Sequence, residues 1–164
     1  MEPKQQVLML RIVVAFLAAL AVVTQVIIVP AVASSYAARY PEVAELAPLY
    51  VVLLVGVLAA CEMGLLATWM IANGALRGQI AAGSYKPWSV ILLVAGVVAG
   101  VLLMVLFGHA MFIALVGGPP MLFGFIASAV FSSLWFLGCR QIIAYMQDEI
   151  QGVAMPYLEP VNAQ

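Results

Sequence analysis

Four long apolar runs constrain this chain more than any other feature. They cover about residues 7–29, 48–72, 88–116 and 121–145. A hydrocarbon core of about 30 Å takes about 20 helical residues per crossing, so each run is long enough to cross once. The runs are continuous and do not alternate, which predicts helices and not barrel strands. Composition agrees: 66% of the 164 residues are hydrophobic and 8% are charged, against about 25% charged in an ordinary soluble domain. Six Lys and Arg, seven Asp and Glu and one His cannot coat a water-soluble surface of this size. That argues against a soluble enzyme, a nucleic-acid binder and a disordered chain. The expected fold is an all-α integral membrane bundle of four transmembrane helices.

The connections set the expected organisation. Residues 1–152 read as one four-span membrane domain, and 153–164, with Pro156 and Pro160, as a non-helical tail. The first span is expected to end at Pro30. Ala31-Val32-Ala33 resembles a signal-peptidase site, but the run from Val7 to Pro30 is about twice the usual signal core, so it reads as a retained span. Pro41 suits the start of a short interfacial helix. Asn73-Gly74 is a reasonable end for the second span, and Gly117-Gly118-Pro119-Pro120 a tight break before the fourth. Lys4, Arg11, Arg77, Lys86 and Arg140 all fall on one side and only Arg39 on the other. The positive-inside rule then predicts both termini in the cytoplasm, in the cytoplasmic membrane. Cys61 and Cys139 lie in apolar runs and read as small buried hydrophobes.

Lipid gives little reward for helix association, so close backbone approach matters more. Gly56, Ala60 and Gly64 recur at intervals of four in the second span, Gly96 and Gly100 in the third, and Gly124, Ser128 and Ser132 in the fourth. Three such stripes fit packing inside the four helices, with one free for an outside contact.

Ionisable residues at membrane depth are costly and stand as functional candidates. At 1.5 Å per residue, Glu62 lies about 20 Å in from the outer end of the second span. Arg11 and Arg140 each lie roughly a turn and a half from the inner end of their helices and can snorkel. An inner polar layer of Glu62 with Arg140 or Arg11 is expected. His109, about 10 Å from the outer face, lies level with Gln25 and predicts a second, outer layer. Glu62 has three readings: a register lock by one ion pair or hydrogen bond, a proton- or cation-linked site, or a contact with a partner subunit. It lies about 200° around the helix from the Gly56–Ala60–Gly64 stripe and so faces a different neighbour.

The sequence has no H-E-x-x-H, G-x-S-x-G, phosphate loop or CxxC. It has no Cys/His cluster for a metal and no paired carboxylates within a span. One histidine cannot supply both axial ligands of a b-type haem. The expectation is a non-enzyme without cofactor or metal. The halves do not repeat and no span breaks at its middle, so the signature of a secondary transporter is missing.

The stretch Gln25-Val26-Ile27-Ile28-Val29-Pro30, then Tyr40-Pro41-Glu42-Val43-Ala44-Glu45-Leu46, Pro48, Cys61, Leu65 and Trp69 resembles an uncharacterised bacterial family of four-helix membrane proteins, the YoaS-like proteins. The layout covers all four spans, and specific positions run from about Gln25 to Trp69. The middle connection is poorer in basic residues than is typical of that family, and the tail is unfamiliar. The resemblance implies no catalytic residues. It implies a companion of small helix-turn-helix DNA-binding regulators, with no direct nucleic-acid binding by this chain. The expected function is an accessory or regulatory membrane subunit that packs against another membrane protein. The alternative is a small homo-oligomeric transporter, channel or ion-linked sensor using Glu62.

Overall fold

A computed structural model describes residues 3–76, 85–115 and 118–154. Every regular element among them is helical. The first candidate span is α1 (Pro3–Val23), a π-helical turn (Thr24–Ile28) and α2 (Val29–Arg39). A 3-10 turn (Pro41–Leu46), opened by its proline, leads into α3 (Ala47–Leu76). The third span is α4 (Lys86–Gly108), closed by a second π turn (His109–Ile113), and the fourth lies in α5 (Pro119–Ala154). Four helices are thus long and apolar enough to cross a membrane.

Several boundaries differ from the sequence expectation, each for a physical reason. The first span does not end at Pro30 but runs on to Arg39. Proline inside a helix lacks the N–H and crowds the carbonyl four residues back. Here the wide turn just before it, closed by Val29 N–H on the Thr24 carbonyl, opens the backbone where the ring needs room. The second span passes through Asn73-Gly74 to Leu76, and Asn73 uses its side chain between helices. The third span stops at Ile113, where Ala114 N–H closes on the His109 carbonyl at 2.9 Å. Leu115 follows with φ 52°, a left-handed turn that ends a helix but strains a branched residue. In the tail, Val153 and Ala154 are still helical. Residues 155–164 of the tail, 77–84 of the middle connection and Gly117 of the expected break lie outside the described residues.

Among the described residues, backbones of different spans approach within 8 Å (Cα–Cα) only between successive spans: first with second, second with third, third with fourth. Among the described residues the first and fourth do not meet. The bundle is therefore open, four helices in a row. The first span turns one stripe inward, with Val14 buried and Arg11, Ala18, Ala21 and Gln25 half-buried, a spacing of three and four. The middle seam is the most tightly packed, around Val57, Ala60 and Ala99 with Leu102 and Leu103 against them. Large apolar side chains face outward, Phe16 at 67% and Phe123 at 69% exposure. Water would penalise that surface and hydrocarbon would not.

Candidate functional site

The small-residue stripes set the seams. A β-carbon on Gly56 would stand 3.2 Å from Leu102 Cδ1, and one on Gly64 3.7 Å from Ala95 Cβ and Leu92 Cδ1, so this face of α3 meets α4. Ala60 is buried in the same seam. On α4, Gly96 lies under the Trp135 indole and Gly100 under Ser132 Oγ. A β-carbon on Gly124 of α5 would stand 2.7 Å from the Phe107 ring. The hydroxyls of the stripes do not bridge helices: Ser128 donates to the Gly124 carbonyl at 2.7 Å and Thr68 to the Gly64 carbonyl at 2.9 Å, each on its own helix. Ser132 Oγ is buried without a partner.

The polar residues lie on the seam between the first and second spans and on the seam between the second and third. Arg11 Nη2 donates to Asn73 Oδ1, and its guanidinium carbon lies 5.8 Å from the Trp69 ring centroid. Its Nε is buried without a partner. The cation is thus held by an amide and an aromatic face, and not by Glu62. Arg140 is exposed, and Glu62 Oε1 is buried with no hydrogen-bond partner. The expected inner layer of Glu62 with either arginine is therefore not formed. Depth arithmetic brought them level but carried no information on which seam or reach they used.

Glu62 stands seven residues before Trp69, two turns along α3 and about 20° around it. It shares the face that Trp69 and Asn73 turn to the first span, about 10 Å further along the seam. Gln25 lies on the opposing stripe of the first span, within the π turn that touches α3, and its Nε2 is also buried without a partner. His109 is elsewhere. It shares a hydrogen bond of 3.2 Å with the Tyr50 hydroxyl through Nδ1, their rings edge to face at 79°. The expected outer layer of Gln25 with His109 is thus split by α3. Each faces a different side of that helix.

The sequence reading treats Asn73 only as a helix end and gives Tyr50 no pairing, and so misses both partners. The available signal was the i, i+4 spacing of Trp69 and Asn73 on the Glu62 face. Cys61 is a free thiol on an exposed position and not a buried one, and Cys139 is partly exposed and also free. No group of three His, Cys, Asp or Glu that could hold a metal occurs among the described residues.

Tyr50→Phe is expected to lower stability by about 0.6 kcal/mol, the average for a polar contact between membrane helices. His109→Leu should cost a similar amount, and the double variant little more than either alone. Unfolding midpoints of the four proteins in one lipid nanodisc measure this.

No protein-family model, curated protein or solved structure matches this chain. What fold and site define is a class: a small chain, all-helical among the described residues, with four candidate membrane spans and polar residues on two of its seams.

Proposed function

We propose that this chain is a non-enzymatic accessory or regulatory subunit of the bacterial cytoplasmic membrane. Both termini face the cytoplasm in this reading, from the distribution of Lys and Arg. It acts by packing its helices against a partner complex or regulator. The observation that supports the reading is the open row: among the described residues the first and fourth spans each approach one neighbour closely and leave the rest of their surface to lipid or to another helix. The resemblance adds a small DNA-binding regulator as one kind of partner. Intact-mass spectrometry after gentle extraction from the native membrane tests it. A foreign protein in fixed ratio is expected, and a chain found only with copies of itself would overturn the reading.

A second reading, a small homo-oligomeric transporter, channel or ion-linked sensor, rests on the unpartnered Glu62 oxygen. It requires a proton or cation flux in liposomes that Glu62→Gln abolishes. The accessory reading requires flux at background in both proteins.

A further inference from the structure

We propose that Glu62 and Gln25 form a proton-binding pair across the seam of the first and second spans. Glu62 carries the proton and the Gln25 amide completes its hydrogen bonds.

Three observations converge. Glu62 Oε1 and Gln25 Nε2 are both buried and both without partners, on helices that pack face to face. An acceptor and a donor are thus left open on one seam. Side chains lean toward the amino end of their own helix. In these oppositely directed helices, Glu62 and Gln25 therefore lean toward one another. The third observation is in the backbone. Val29 N–H donates to the Thr24 carbonyl, so it does not serve Gln25. The donor one residue further on would be Pro30, which has none. The Gln25 carbonyl is left without either intrahelical donor, beside its own unpartnered amide. Wide turns of this kind recur at functional sites.

Charge decides what occupies the pair. A carboxylate out of water requires a counter-charge or a proton. Among the described side chains, Arg11 is the cation that the first span turns toward α3, and it is held by Asn73 and Trp69 further along the seam. α3 adds only Cys61 beside Glu62, and α4 packs on the opposite face, where His109 is bonded to Tyr50. With no other cation in reach among the described residues, the carboxylate takes a proton from hydronium and releases water. The resulting acid O–H donates to the amide oxygen, and the amide N–H donates to the acid carbonyl. An acid and an amide make two parallel hydrogen bonds in this way. The inference does not depend on whether the chain has a partner.

Infrared spectroscopy of the full chain in lipid nanodiscs at neutral pH is the test. Wild type should show the C=O stretch of a neutral carboxylic acid, and Glu62→Gln, of nearly the same shape, should lose it. Gln25→Leu should keep the band and shift it to higher frequency, as an acid that has lost its amide partner. Absence of the band in wild type would overturn the proposal. If the unfolding midpoint then rose with sodium over choline at equal ionic strength, Glu62 would hold a cation instead. A band that Gln25→Leu leaves unmoved would overturn the pairing. Gln25→Leu leaves Glu62 in place, so this arm stands even if Glu62→Gln does not fold.

Discussion

Gly96→Ala is expected to push the fourth span off the third and lower stability by about 1–3 kcal/mol, the range for overpacking a close contact. The β-carbon would fall on the Trp135 indole, whose atoms are the three nearest to it. The missing side chain also serves a hydrogen bond. Trp135 Nε1 donates to the Leu92 carbonyl at 3.2 Å, and Leu92 lies one helical turn before Gly96, so a side chain there would cover that oxygen. Gly96→Ala with Trp135→Ala should therefore cost less than the two single changes added together, a coupling of about 0.5–3 kcal/mol. Gly138→Ala is the control. Nothing lies within 4 Å of its position, and alanine is the better helix former by about 1 kcal/mol, so its midpoint should hold or rise. Unfolding of all five proteins in one nanodisc composition reads the coupling directly. Equal losses at Gly96 and Gly138 would mean that α4 and α5 do not meet at Gly96.

Ala67→Leu is the second large effect. Ala67 is 0% exposed and continues the Ala60–Gly64 row that faces α4. An isobutyl group there has no free volume to enter, and a loss of about 1–3 kcal/mol is expected. Phe16→Ala, at a position 67% exposed, should change stability by less than about 0.5 kcal/mol. This inverts the habit of soluble cores, where removing a large apolar group is the damaging change. In a bilayer, lipid refills the space that Phe16 leaves, whereas nothing can vacate the space that the larger side chain of Ala67→Leu would need. Thermal or denaturant midpoints in bilayers measure both. A Phe16→Ala loss as large as that of Ala67→Leu would place Phe16 in a contact and not in lipid.

How far the fold was legible follows from which forces leave a mark in one dimension. The four spans were readable because each must be apolar along its whole length. Helical periodicity separated the Glu62 face from the Gly56–Ala60–Gly64 stripe, and the structure sets that stripe against α4. Pro30 was read as an end because the sequence shows the proline and not the wide turn that accommodates it. Pairings were the least legible. Depth put Gln25 level with His109 and Glu62 within reach of an arginine, but depth says nothing of azimuth. α3 separates the first pair, and Asn73 and Trp69 hold Arg11 from the second. That an arginine would choose an amide and an indole over a carboxylate two turns away is a matter of reach, settled only when the helices are in place.

The open row has a consequence for how the protein is made. Among the described residues every close backbone approach between spans joins neighbours in sequence, so each new helix finds its docking surface within the chain already present when it emerges. No late step has to bring the chain's two ends together, and low sequence separation between partners favours fast assembly. An amino-terminal fragment that stops after α3 already contains the complete Arg11–Asn73 and Glu62–Gln25 seam. Synthesis and folding can therefore advance together, one hairpin at a time.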